Sequence, residues 1–267
     1  RIISGYLNFL EDCAKGLRIC VLWLVVWSFY AIAIEGPSCS IFIHCATSIS
    51  SLQSDKYPKT NPVLEREGYS PLYDGRSKTA LWVYEELTRD SLKGSANRDQ
   101  IRSTQDPNIP EIIQSDLKDY KGSGFDRGHL APAGDHKASE AQMEETFYLS
   151  NISPQVPDFN RGYWRAFEIY IRALTNEFDV VRVITGPLYL PHEEPDGKKY
   201  VTYQVIGDNN VAVPTHFFKL ITLKKGSFKE HRAYIMPNEK IDKDTPFECF
   251  QTTVSKVEKV AGIIFQR

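Results

Sequence analysis

The chain has 267 residues and a net charge of −2, enough for one sizeable domain or two small ones. Hydrophobic residues make up 42% and charged residues 25%, an ordinary globular balance that excludes a low-complexity chain. A molecule that is basic overall is excluded too, although a local basic cleft can sit on a neutral protein.

The cysteines are Cys13, Cys20, Cys39, Cys45 and Cys249. None stands in a C-x-x-C pair, which argues against a zinc or thioredoxin-like site. Cys39 and Cys45 read as small apolar residues rather than as a disulfide, and Cys249 as a lone buried thiol.

Residues 19–34 form an apolar run broken only by Ser28, with Lys15 and Arg18 before it and Ala31-Ile32-Ala33 near its end. The run is slightly short for a spanning helix and long enough for the core of a signal peptide. An export signal, an uncleaved anchor with membrane association, and an organelle-targeting segment all fit. Residues 1–47 are therefore read as a targeting segment, 48–64 as a linker rich in Ser, Asp, Lys and Pro, and 65–267 as the domain proper.

Within that domain, Ala80 to Leu87 reads as a strand from its aromatic and β-branched content. Residues 94–125 are polar and punctuated by Pro and Gly, and so long an irregular segment in a compact domain is usually functional. Ser139 to Phe147 reads as a short helix, with Ser139 as N-cap and Gln142 completing a capping box. The clearest helix runs from Asn160 to Glu177, with Trp164, Phe167, Ile171 and Leu174 in one apolar stripe. Strand-like runs follow at 180–185, 200–206, 214–223 and 232–236, and a last helix at 255–261. Strands clustered in sequence with few helices between them predict an antiparallel sheet and an α+β class.

The densest chemistry lies in residues 122–133, GSGFDRGHLAPA. Gly128 permits a close approach of backbone or substrate. Arg127 offers a planar fork suited to phosphate. His129 changes charge near neutral pH, and Asp126 could orient an imidazole or a backbone turn. These four residues alone also fit a turn with a solvated ion pair and a structural histidine.

A second segment decides between the two. Residues 148–155, YLSNISPQ, are followed by 158–164, DFNRGYW, and then by Phe167-Glu168. Together with 185–189, 196–199, 203–207 and 210–219, these motifs resemble the DNA/RNA nonspecific endonucleases of the ββα-metal, or His-Me finger, type. Within that family the likeness is nearest to the endonuclease G branch and its exonuclease-like mitochondrial relative. It spans roughly residues 65–262. It implies a ββα-metal nuclease fold with a central antiparallel sheet flanked by helices, acting on DNA and RNA, with a homodimer as one arrangement. It leaves the compartment open between bacterial export, to periplasm or medium, and the mitochondrion.

The resemblance also implies roles. His129 would be the general base that activates water. Asn160 would be the single direct protein ligand of Mg²⁺ or Mn²⁺, and Glu168 would reach that ion through a water. Arg98 would bind phosphate and stabilise the transition state, with Arg102 as its rival, and Arg127 would bind phosphate. Asp126 would belong to the catalytic set. Each role has a plainer counterpart: Asn160 as the helix N-cap, Glu168 paired with Arg172 at i+4. Eight helical residues place Glu168 about 80° around the axis from Asn160, which suits a water-bridged contact. Asn151 and Gln155 are expected to brace loops, and His136, His192, His216 and His231 to be non-catalytic.

Phosphodiester hydrolysis explains these residue types. A neutral imidazole takes a proton from water, a divalent cation acts as Lewis acid and template, Mg²⁺ accepts few protein ligands because it keeps its waters, and arginine meets developing negative charge. Three alternatives follow. An exonuclease-like mode is opposed by Asp126, where that relative carries Ser, and favoured by Asp106-Pro-Asn-Ile-Pro110. A catalytically inactive binding module should have lost His129 or Asn160. A small-nucleotide phosphodiesterase would share the chemistry.

Overall fold

Three of the four strand-like runs of the second half join the Ala80–Leu87 run in one antiparallel sheet. The computed structural model describes residues 63–265. The apolar run at 19–34, most of the linker and the four N-terminal cysteines lie outside them. Strands β1 (Tyr69–Asp74), β2 (Thr79–Leu87), β3 (Asp126–His129), β4 (Ile152–Gln155) and β5 (Val180–Leu188) precede four two-residue strands. These are β6 (His192–Glu193), β7 (Lys199–Tyr200), β8 (Val205–Ile206) and β9 (Val211–Ala212); β10 (His216–Lys225), β11 (Phe228–Pro237) and β12 (Gln251–Thr252) complete the set. The six-stranded sheet has the order β1-β2-β5-β10-β11-β12. Its registers are antiparallel throughout, with Val83 opposite Thr185 and Thr185 opposite Lys219.

Both faces of this sheet are covered. On one, Val83, Val183, Phe217, Ile221 and Leu223 pack against Trp164, Phe167 and Ile171. On the other, Leu188, Phe218 and Leu220 meet Val257 and Phe265. The alternation of Phe217 and Phe218 between these clusters is the period-two pattern of a strand. The stripe Trp164, Phe167, Ile171 and Leu174 is buried throughout, each large side chain contributing about 1.5–3 kcal/mol on burial. Helix α1 spans Leu117–Tyr120 and α2 spans Glu140–Glu145, where Ser139 Oγ accepts from Gln142 N at 3.1 Å. The segment expected as one helix from Asn160 is composite: a π-helical turn, Phe159–Trp164, leads into α3, Arg165–Ala173, and a 3₁₀ turn, Leu174–Asn176. Helix α4, Val254–Ala261, is capped by Thr253 and ends at Gly262 with φ 69°, a left-handed position that suits glycine.

Two expectations are corrected, and one strand went unread. The run at 200–206 forms no continuous strand; only β7 and β8 pair, within separate small hairpins, and Val201, Tyr203 and Val205 stay exposed. Its β-branched and aromatic content meets no core face, and packing rather than propensity decides. Cys249 is exposed, because the 3₁₀ turn Phe247–Phe250 sets Phe247 and Phe250 against Tyr163 and turns the thiol outward. Strand β1 was not apparent in the sequence because Pro71 interrupts it, and proline is tolerated at a sheet edge.

The β3–β4 hairpin carries the DRGH residues, pairing Asp126 with Gln155 and His129 with Ile152. Two polar ties fix it. Thr79 Oγ1 donates to Ile152 O at 2.9 Å, fastening the hairpin to the large sheet. Asn151 accepts from Ala131 N at 2.9 Å and donates to Ala131 O at 3.0 Å and Thr146 O at 2.8 Å. It is the expected brace, placed just beyond His129. Gln155 is not a side-chain brace: its buried amide makes no hydrogen bond among the described residues. A Cβ at Gly128 would come within 2.2 Å of the Gln155 side chain, so this glycine makes room for Gln155 rather than for substrate.

Candidate active site

The hairpin end, the π-helical turn and the first turns of α3 form the walls of a cleft of about 980 Å³. His129, Asp126, Arg127, Asn160, Glu168 and Arg98 all line it. The residues singled out from sequence therefore meet in one place. Arg102 does not; it lines a neighbouring groove with Glu140 and Glu144, which favours Arg98 in the phosphate role.

His129 Nε2 is buried without a hydrogen-bond partner among the described residues, and the imidazole stands edge-on to Phe147, centroids 4.8 Å apart. Burial, with Arg98, His136 and Arg127 adding, pushes its pKa down to about 3. The ring is neutral across the physiological range, the form that accepts a proton. An anionic phosphate beside Arg98 and Arg127 would offset part of that depression.

The depression has a consequence for stability. A group with a lowered folded pKa contributes stability that is present above its unfolded value, near 6.5, and lost as pH falls toward about 3. Melting curves taken between pH 7 and pH 4 should therefore show a steeper acid-side loss in the wild type than in His129→Gln. Parallel curves would contradict the buried, neutral imidazole.

Asp126 orients the metal-ligand candidate rather than the imidazole. Its Oδ2 accepts from Asn160 Nδ2 at 2.9 Å, and Arg161 donates to both of its oxygens at 2.7 and 2.6 Å. The Arg161 hydrogen bonds hold the Asp126 carboxyl below its ordinary range. With Nδ2 engaged by a carboxylate that only accepts, the amide is oriented with Oδ1 free for another partner. Asn160 is not the helix N-cap: Asp158 occupies that position, and Asn160 N donates to Val156 O inside the widened turn. The i→i+5 geometry also removes the uniform 100° step assumed between Asn160 and Glu168; such turns are frequent at functional sites.

Glu168 is partly buried at the cleft and has no hydrogen-bond partner among the described residues. Burial pushes its pKa up to about 8; Lys219 opposes the shift, and Asp135 and Glu85 add to it. A cation in the cleft would act in the opposite direction. The plainer alternative, a Glu168–Arg172 pair, does not form, because Arg172 is ion-paired with Asp135. Asp106 of the 106–110 segment is buried against Arg66 and does not line the cleft.

Sequence reasoning missed Arg161, Arg165 and Lys137, which also line the cleft. For Arg161 and Arg165 the signal was present, since they flank the apolar stripe on the polar side of the helical segment. Six Arg or Lys side chains face two carboxylates there, a basic cleft on a molecule whose net charge is −2. His136, bonded to Glu85 at 3.0 Å, lies outside the cleft lining.

The model of the DNA/RNA non-specific endonuclease family matches residues 50–267. The chain belongs to that family. Human mitochondrial endonuclease G is 46% identical over 201 residues, 75% of this chain and 68% of that protein. Nuclease C1 of Cunninghamella echinulata var. echinulata is 49% identical over 206 residues, 76% of this chain and 81% of its own. Human mitochondrial nuclease EXOG is 44% identical over 197 residues, 72% of this chain but 54% of that protein, so this chain spans about half of it. The crystal structure of an EndoG/EndoGI complex superposes with a TM-score of 0.75 at 40% identity, covering 87% of this chain and 93% of that one. The α+β architecture is thus that of a ββα-metal nuclease, and this member of the nonspecific endonuclease family is a nucleic-acid hydrolase.

Proposed function

We propose that the chain cuts DNA and RNA internally and without sequence preference, with His129 as general base and Asn160 Oδ1 as the direct protein ligand of Mg²⁺ or Mn²⁺. The observation that carries this reading is the convergence of His129, Asn160 and Arg98 on one basic cleft, with the Asn160 amide turned by Asp126.

The donor set suits a hard, well-hydrated cation. One amide oxygen and one carboxylate without a partner line the cleft, and no cluster of three or more His, Cys, Asp or Glu side chains occurs among the described residues. Zinc normally takes three or four such ligands, whereas Mg²⁺ keeps several waters and needs few protein groups. When bound, the cation would supply Lewis-acid neutralisation of the phosphoryl oxygens. The protein supplies the rest. His129 accepts the proton of the attacking water, Arg98 and Arg127 meet the charge that builds on the phosphoryl group, and Phe147 fixes the imidazole plane. Contacts to phosphate alone carry no base information, which suits cleavage without sequence preference. The endonuclease G and EXOG relatives are named mitochondrial, which favours the mitochondrion among the compartments that the N-terminal run allows.

Incubation with supercoiled plasmid tests the reading. Open-circular and then fragmented DNA is expected with Mg²⁺, none with a chelator, and single-stranded RNA should be cut as well. A product ladder confined to one sequence would refute the nonspecific mode, and a need for free ends would point to the exonuclease-like one.

A further inference from the structure

The cations of the cleft fall into two groups. Arg161 is bound by Asp126 and Arg172 by Asp135. Arg98, Arg127, Lys137 and Arg165 have no carboxylate partner among the described residues, and all four are exposed. An exposed guanidinium or ammonium that is not already paired is free to meet an anion at little desolvation cost. Arg127 lies two residues from His129 on β3, and Arg98 lies over the Phe147 ring that stands edge-on to His129, which sets both beside the imidazole. Lys137, just past the 3₁₀ turn Ala133–Asp135, and Arg165, at the start of α3, line the same cleft from two different elements.

Arg165 opens α3, three residues before Glu168, about 4.5 Å along a helix axis. One helical turn further, Ile169 is 48% exposed and lines the same cleft. A large apolar side chain set among arginines gives a sugar face something to rest on while a phosphate meets the cation.

From this arrangement we infer that Arg165 and Lys137 bind the phosphates flanking the one being cut, so that the cleft selects a polymer of several nucleotides over a small phosphodiester. The inference rests on the nuclease reading above and goes further by assigning the length of substrate to two residues outside the reacting centre. Because the contacts are to phosphate, they raise affinity without adding base preference.

The experiment compares Arg165→Gln, Lys137→Gln and wild type on two substrates, a thirty-nucleotide single strand and bis(p-nitrophenyl) phosphate, each over a range of KCl. Each variant should raise KM for the long strand about fivefold, the scale of an exposed charge contact. The salt dependence of log KM should become shallower by about 0.7 per lost phosphate contact. Turnover of the small diester should be unchanged. Equal losses on both substrates would place these residues at the scissile phosphate and overturn the inference, as would no loss on either. Melting temperatures check that the variants are folded, and Arg165→Glu serves as a second variant, expected to exceed Arg165→Gln on the long strand only. Failure of the wild type to cut the long strand at all would instead overturn the nuclease reading, so the two failures are distinguishable.

Discussion

His129→Ala should cut plasmid DNA at least 10²–10⁴-fold more slowly than the wild type, the usual contribution of a positioned general base. That loss corresponds to about 2.7–5.5 kcal/mol of barrier. Its Nε2 has no hydrogen-bond partner among the described residues, so truncation strips no donor or acceptor from the fold. The packing lost is the edge-on contact with Phe147, and the melting temperature should fall only modestly. Metal binding should survive, because the Asn160–Asp126–Arg161 arrangement does not include the imidazole. Plasmid assays, thermal melts and Mn²⁺ titration on one preparation decide the matter. A folded His129→Ala protein with near-normal cutting would end the proposed mechanism, since a structural histidine predicts the reverse pattern of lost stability and kept activity.

Much of this site was legible in the sequence, for a physical reason. DRGH lies on one short strand and Asn160 through Glu168 on one helical segment, so spacing along the chain carried over into space. The same holds for the apolar stripe and for the long strands whose faces are both buried. What failed was information held by partners distant in sequence. Asp126 could not be assigned to Asn160, thirty-four residues away, because a carboxylate beside a histidine reads first as an imidazole partner. Arg172 suited Glu168 at i+4 but found Asp135, in the 3₁₀ turn Ala133–Asp135, whose position in space local rules do not fix. The π-helical turn was invisible because its residues carry ordinary helical spacing and differ only in the hydrogen-bond step. Strand propensity at 200–206 was real, but no sheet edge was there to receive it.

Asn160→Ala should weaken metal binding and turnover together, which separates it from His129→Ala. The amide contributes one oxygen to a cation held by few protein groups, so its removal leaves a site that excess Mn²⁺ restores in part. Loss of a helix cap would cost about 1 kcal/mol of stability, but Asn160 sits inside the turn rather than at its cap. The stability change should instead reflect the single hydrogen bond to Asp126, near 1 kcal/mol or less at this partly exposed position. Asn160→Asp sharpens the test. It keeps an oxygen for the cation but sets a second carboxylate against Asp126 and removes the donor that oriented the group. Its metal affinity should therefore fall below the wild type despite the added charge. Glu168→Gln should do less damage than either, since a water-bridged amide still accepts a hydrogen bond. Combining His129→Ala with Asn160→Ala should cost far less than the two single losses added together, because groups that act on one transition state are non-additive. Strict additivity in that cycle would mean that the imidazole and the amide serve separate ends, and the shared site would have to be abandoned.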